Sequence, residues 1–455
     1  MTDCFGQYYR CSDRYNQFAV KGPLPRSSGY FRLGEDIVYG KYCGRSPAQC
    51  VSDVLFDASP DIALQDGKVC LPFDLAQIAD SLRQERYCEV ACQSSAAQSV
   101  LNRLYYYVRP LLPVRVRKHL QRIHLNGWDR RPFPHWPVDR TVDNVFEQLF
   151  LHVLRTTGAS KIPFIWFWPE GAPGCVIMTH DVETRTGRNF CAALMDVDES
   201  YGIPASFQVV PEVRYEVTPQ FLKSISDRGF EVCVQDLNHD GRLYADRQQF
   251  LVRAARINQY GRQWGAKGFR AAVLYRRQEW FDALDFSYDM SVPNVAHLDP
   301  QHGGCCTVMP YFVGKILELP VTTMQDYTLF NILNDYSIDR WKGQIELILE
   351  KHGLASFIVH PDYVTTPREM GVYKTLLAHL AQLRDEKGLW VTIPGEVDSW
   401  WRQRAEMTII EDGNNLRIEG AGSGRARIAF ASEKEGRLVL DVQPASIAHG
   451  VTQPH

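Results

Sequence analysis

From about Pro163 onward, apolar runs of strand length alternate with longer segments of helical periodicity, and this repetition limits the possible folds more than any other feature. The strand candidates are Pro163–Phe167, Cys175–Glu183, Ala205–Pro211, Phe230–Gln235, Gly268–Tyr275, Phe286–Val292, Ile316–Val321, Ser356–His360 and Trp390–Pro394. Between them, Phe190–Tyr201, Pro219–Arg228, Gln248–Trp264, Arg340–His352 and Tyr373–Glu386 carry helical spacing. Near-continuous apolar strands separated by helices indicate a parallel sheet covered by helices, an α/β architecture. About seven or eight such units favour a (β/α) barrel over an open sheet, and in such a barrel chemistry belongs at the C-terminal ends of the strands.

The flanks read differently. The first ~150 residues mix turn-rich and helical pieces. Val38–Gly44 has the look of strand and turn, Asp74–Glu85 and Ala97–Val108 have helical spacing, and Lys118–His124 is a basic helical patch, read as a solvated face with an acidic partner or phosphate as the alternative. Phe133–Asp139 reads as an extended linker, because each proline pushes its predecessor away from helical geometry. After Trp400-Trp401, the runs Met407–Ile410, Asn415–Glu419, Ala426–Ala431 and Arg437–Val442 alternate between turn signals. They predict a small antiparallel β-module followed by a loose tail, Pro444–His455. The expected organisation is therefore a mixed α/β region at 1–150, a barrel at 151–403, and the β-module with its tail at 404–455.

Charge excludes one class of function. Fifty Lys plus Arg stand against 53 Asp plus Glu, a formal net charge of -3, so there is no basic excess for binding nucleic acid. With 45% hydrophobic and 23% charged residues the chain has the composition of a folded protein. Met1–Gln7 has neither the basic start nor the apolar core of an export signal, and Ile162–Trp168 is too short to span a bilayer. The expectation is a cytoplasmic protein without an integral membrane segment. Twelve cysteines without CxxC spacing then read as free thiols, and Cys305-Cys306 as small residues packed after Gly303-Gly304.

Several strand ends carry unusual polar content. In Val176–Glu183, side chains alternate across the strand, so Asp181 and Glu183 share one side and His180 and Val182 the other. Two same-sided carboxylates suggest a cation site or an acid/base pair; polar capping of the strand is the competing reading. His239 follows the strand Phe230–Gln235 beside Asp236, Asn238 and Asp240, which adds a potential metal ligand. His360 closes the run Ser356–Val359, where a histidine can transfer protons near neutral pH. Arg270, in Gly268-Phe269-Arg270, is a permanent cation able to orient a carboxylate and hold down its pKa.

With these residues in order along one barrel, the segment Cys175–Pro394 resembles the NodB-like polysaccharide deacetylases (carbohydrate esterase family four). The resemblance implies a deformed (β/α) barrel of the polysaccharide deacetylase type. It also implies a divalent metal, usually zinc, and removal of acetyl groups from N-acetylated sugars. Thr179-His180-Asp181-Val182-Glu183 resembles the family's first motif, which makes Asp181 the general base and Glu183 a metal ligand. Gln235 and His239 fall at the i and i+4 positions of the second motif, where the family has two histidines. Arg270 matches the arginine of the third motif, and His360 in Phe357-Ile358-Val359-His360 matches the histidine that acts as general acid.

Two departures stand out. Glu183 extends the usual aspartate by one methylene, and Gln235 offers an amide oxygen in place of an imidazole nitrogen. Amide oxygen is a poor zinc donor and suits harder cations, so the set Glu183, Gln235 and His239 implies a more weakly held metal. Asp181, His180 or Asp240 could compensate by moving onto the cation.

The reading is a metal-dependent hydrolase that removes N-acetyl groups from a sugar or polysaccharide, an exopolysaccharide intermediate being one candidate. Tyr275, Trp280, Tyr288, Tyr311 and Tyr363 are candidate sugar-stacking rings. One rival is a catalytically silent carbohydrate-binding or scaffolding barrel. The other is a glycoside hydrolase that uses Asp181 or Glu183 with Asp289 or Glu318.

Overall fold

The computed structural model describes residues 4–88, 123–413 and 415–443. The expected helix Ala97–Val108, the basic patch before Ile123 and the tail from Pro444 lie outside the described residues. No helix among the described residues is long and apolar enough to cross a membrane.

The N-terminal region is built from short pieces. A helix, Cys4–Tyr9, precedes β1 (Phe18–Val20), β2 (Gly29–Leu33), β3 (Asp36–Gly40), β4 (Ala63–Gln65) and β5 (Lys68–Leu71). β2 and β3 form a hairpin, while β5 pairs in parallel with β1 and antiparallel with β4. The expected helix near Asp74–Glu85 is present at Leu75–Arg83, started by the Asp74 carboxylate accepting from the Gln77 amide at 3.0 Å. A longer helix, Thr141–Thr157, ends where Gly158 takes the left-handed conformation at φ 64°.

The next strand corrects the expectation. β6 (Lys161–Ile165) falls on the run Pro163–Phe167 but lies outside the barrel sheet, pairing antiparallel with a strand about 265 residues later. Its apolar residues are buried on both faces, and burial on both faces is also what makes a run look like a parallel strand.

The barrel consists of β7 (Cys175–Val182), β8 (Ala205–Val209), β9 (Glu231–Gln235), β10 (Gly268–Arg270), β11 (Tyr288–Asp289), β12 (Tyr311–Val313), β13 (Ile316–Glu318), β14 (Leu354–Ile358) and β15 (Trp390–Thr392). Its order is β12-β13-β11-β10-β9-β8-β7-β14, with β15 also on β7, and every pair is parallel except β12–β13. Threonines bridge the remaining gap. Thr322 Oγ1 donates to Leu354 O at 2.6 Å and accepts from the Ser356 amide at 2.9 Å, which ties the chain after β13 to β14. The result is a curled, deformed barrel.

Alternation divides each strand. Val176, Met178, Val182, Phe207 and Val209 pack outward with Leu194, Leu376 and Leu380 of the helices Arg185–Ser200 and Pro367–Lys387. Thr179, Asp181, Gln235 and Arg270 belong to the inner set. Gly268 is required by close packing: a Cβ there would meet the Tyr288 ring at 2.4 Å.

Among the described residues, the helix Pro394–Glu406 is followed by two hairpins. β16 (Thr408–Asp412) pairs with β17 (Asn415–Glu419), and β18 (Ile428–Lys434) pairs with both β19 (Arg437–Val442) and β6. The antiparallel strands expected after Trp401 are therefore present. One core cluster runs through all three parts of the chain, from Phe5, Tyr8 and Phe146 through Phe164 and Trp400 to Ala431. A buried ion pair adds to it: Arg276 Nε donates to Glu85 Oε2 at 2.7 Å, and the Gly304 amide donates to Glu85 Oε1 at 2.6 Å. Gly303 and Gly304, at φ 136° and 143°, bring the backbone close to that carboxylate, since a Cβ on Gly303 would fall 2.4 Å from Glu85 Oε1. Cys305 and Cys306 beside them are free and buried, as the sequence suggested.

Candidate functional site

The inner residues at the C-terminal ends of β7, β9, β10 and β14 converge on two carboxylates. Arg270, fully buried, donates from Nη1 to Asp181 Oδ1 at 2.6 Å and to Thr179 Oγ1 at 2.8 Å, and from Nε to Met290 O at 3.0 Å. Asp181 Oδ2 accepts from Gln235 Nε2 at 3.0 Å, and the same amide nitrogen lies 3.4 Å from Glu183 Oε1. Glu183 Oε1 is the focal atom. His239 Nε2 stands 2.8 Å from it and His360 Nε2 3.4 Å. His239 reaches that position from a backbone φ of 57°, a left-handed conformation that turns the loop after β9 back toward the barrel mouth.

Sequence reasoning missed Asp326. Its Oδ1 accepts from His360 Nδ1 at 2.7 Å and its Oδ2 from the His360 amide at 2.7 Å, so one carboxylate fixes both ring and backbone. The available signal was an acid just beyond the strand end Glu318-Leu319-Pro320, without any spacing that links it to His360.

These charges set one another. Burial alone would raise the Glu183 carboxyl, but the adjacent His239 and His360 outweigh it and hold the group well below the usual carboxylate range. For His360 burial acts downward, and the Asp326 and Glu183 carboxylates overcome it, leaving the imidazolium favoured well above the usual histidine range. His239 follows the same pattern, raised against burial mainly by Glu183.

The donor set fits a divalent cation. Asp181, Glu183 and His360 each offer a ligand atom within 4.8 Å of the other two. His239 Nε2 is buried 2.8 Å from Glu183 Oε1 but off the line of a well-formed hydrogen bond, a position from which both atoms could face one ion. Gln235 Oε1 is likewise buried and unpartnered; the amide presents its nitrogen to the carboxylates and turns away the oxygen that would ligate.

Other expectations are corrected. His180 lies on the outer face, 3.0 Å from Asp198 Oδ2 and 3.0 Å from Val359 O, so it cannot join a cation inside the barrel. Asp240 is held by Arg253 at 2.7 and 2.8 Å. Asp289 and Glu318 pair in register with each other and share the face of Phe269, which packs with Phe250 and Tyr244 on the outside. They face away from Asp181, which removes them as its glycosidase partners. Among the candidate aromatic residues, Tyr363 places its ring 4.7 Å from His360, and Tyr275 lies where a Cβ on Gly241 would meet its ring at 3.5 Å. Trp280 belongs to the outer cluster, Tyr311 packs with Val292 and Cys305, and Tyr288 is buried with its hydroxyl on Glu231.

No known family profile matches the chain, and no curated protein does. Solved structures do, 55 chains in all. A protein named as a polysaccharide deacetylase from Mycobacterium smegmatis is 18% identical, covering 55% of this chain and 98% of its own, with a TM-score of 0.45. Puue allantoinase is 12% identical, covering 52% and 92%, with a TM-score of 0.42. A Bordetella bronchiseptica protein, named as a polysaccharide deacetylase involved in O-antigen biosynthesis, is 16% identical over 52% and 93%, with a TM-score of 0.31. The likeness is confined to about half of the chain.

Proposed function

We propose that this protein is a metal-dependent hydrolase that removes N-acetyl groups from a carbohydrate. The observation that carries the reading is the convergence of Arg270, Gln235, His239 and His360 on Asp181 and Glu183 at the barrel mouth. Glu183 and Asp181, with His239 beside Glu183, would hold a divalent cation, whose chemistry when bound is to polarise an acyl carbonyl and acidify water. The chain's own residues supply the rest. Asp181, fixed by Arg270, accepts the proton of the attacking water. His360, kept as an imidazolium by Asp326, donates its Nε2 proton to the departing amine. Tyr363 lies against the His360 ring and offers a surface for a sugar.

The test is acetate release from N-acetylated oligosaccharides by the purified full chain, with metal content measured alongside. Chelation and Asp181→Asn should each abolish release, the substitution by a factor of about 10²–10⁴ with the fold intact. Release unaffected by both would refute the assignment.

A second reading rests on Gln235. Its amide already bridges the two carboxylates, and Glu183 already faces His239 and His360, whose imidazolium forms its charge favours, so the carboxylates have partners without an ion. A protein that stays metal-free and inactive yet binds oligosaccharide would establish a silent binding barrel instead.

A further inference from the structure

A second concave site lies away from these carboxylates. The helices Cys4–Tyr9, Leu75–Arg83 and Pro394–Glu406, together with β12, enclose a cavity of about 790 Å³, a size typical of small-molecule pockets. Arg402, on its wall, donates to Ser287 O and Lys315 O, the residues just before β11 and β13. The cavity therefore belongs to the N-terminal ends of the strands, the opposite end from Asp181.

Four arginines from three elements line it: Arg10, Arg83, Arg402 and Arg404. Two acids, Asp80 and Glu406, line it as well, leaving an excess of positive charge. Arg402 is paired with Asp398 at 2.8 Å. The other three have no ion-pair partner among the described residues. Arg10 donates to Met407 O, Arg83 lies over the rings of Phe146 and Tyr311, and Arg404 donates to the carbonyls of Tyr8, Ile165 and Trp166.

Two further facts favour an anion as the partner of these arginines. The Nε groups of Arg10 and Arg83 are buried and make no hydrogen bond. Arg404 is buried beside Arg10, and burial, then the Arg10 charge, pull its guanidinium down to about 9. Arg10 and Arg83 are half-buried and Arg404 fully so, and a buried guanidinium facing a second one is costly unless an anion completes the pair. Guanidinium forks match the oxygens of a phosphate, and three of them supply charge for more than one negative group. Tyr311 and Trp401 line the cavity as well, Arg83 over the one ring and Arg404 over the other, so an organic moiety would share these aromatic walls with the guanidinium groups.

We propose that this cavity is a binding site for a phosphate-bearing small molecule, with the phosphate oxygens on Arg10 and Arg83 and the organic part against Tyr311 and Trp401. The proposal is independent of the hydrolytic reading.

Isothermal titration of the full chain with inorganic phosphate, pyrophosphate and a nucleoside diphosphate, at fixed ionic strength, tests it. Saturable binding at one site is expected, tightest for the diphosphates and weakened about tenfold or more in Arg10→Gln and Arg83→Gln. A nucleoside diphosphate that binds more tightly than pyrophosphate would show that the rings take part; equal affinity would place recognition in the phosphates alone. No saturable binding of any of the three overturns the proposal, as does unchanged affinity in both folded variants. If the variants fail to fold, guanidinium modification of the wild-type chain mapped by mass spectrometry decides. Pyrophosphate should shield Arg10 and Arg83, and equal labelling with and without it would dismiss the site.

Discussion

Gln235 is the residue on which the cation argument turns. Its Nε2 bridges Asp181 and Glu183 while its Oε1 has no partner, so the side chain contributes a donor where a ligand is wanted. Replacing it with histidine puts an imidazole nitrogen beside both carboxylates. Gln235→His should raise zinc occupancy of the purified protein and its acetate-releasing rate together. If elemental analysis and rate both stay level, the position is not a ligand.

A histidine outside the site sets a pH response. His297 is buried, its ring stacked 6.4 Å from that of Trp136, and burial, then the Arg131 charge, press it down to about 4 from an ordinary 6.5. A folded pKa below the unfolded one means that this contribution is complete above pH 6.5 and is lost as the pH falls toward 4. The loss amounts to at most about 3 kcal/mol. In His297→Gln, the drop in unfolding free energy between pH 7 and pH 4.5 should be smaller than in the wild type by up to that amount, measured by urea titration. An identical drop would show that the ring does not titrate in this way.

At the scale of elements, β10 is the most exposed to error. It is three residues long, begins at Gly268 and delivers Arg270 to Asp181. Adding one methyl at Gly268 drives a Cβ into the Tyr288 ring, whose hydroxyl also bonds Glu231 and Cys233. Gly268→Ala should cost about 1–3 kcal/mol by overpacking and should lower the hydrolytic rate as well, because the shifted strand carries the arginine that fixes Asp181. Denaturant melts and the acetate assay on the same preparation read both effects.

The elements also show what a sequence reveals. Asp181, Glu183, His239, Arg270 and His360 were legible because each interrupts or closes an apolar run, where alternation and the barrel rule give a polar residue a position. Asp326 was not, because the loop that carries it has no period. β6 was misplaced because full burial gives the same apolar run whether its neighbours are parallel or antiparallel. The packing of the N-terminal region was equally hidden: Tyr8, Phe146 and Trp400 meet in one cluster without any local pattern that joins them.

At the scale of the molecule, that shared cluster couples the three parts of the chain. The Arg276–Glu85 pair ties the N-terminal region to a barrel loop, Arg404 clamps the helix Pro394–Glu406 to Tyr8 and β6, and β18 completes the sheet that β6 begins. Removing residues 404–455 would take β18 off β6 and uncover Ile162 and Phe164, which are now fully buried. The truncated chain should be insoluble or lack a cooperative melt, whereas the full chain should unfold in one transition seen alike by near-ultraviolet and far-ultraviolet circular dichroism. A soluble, cooperatively melting truncation would show that the barrel stands alone.

The β6–β18 pairing has a consequence for how the protein is made. A ribosome releases β6 and the Tyr8 helix long before it has translated their partners, at some 5–20 residues per second. During that interval a strand with two greasy faces waits without a neighbour, so nascent copies should depend on chaperone shelter until the β18–β19 hairpin emerges.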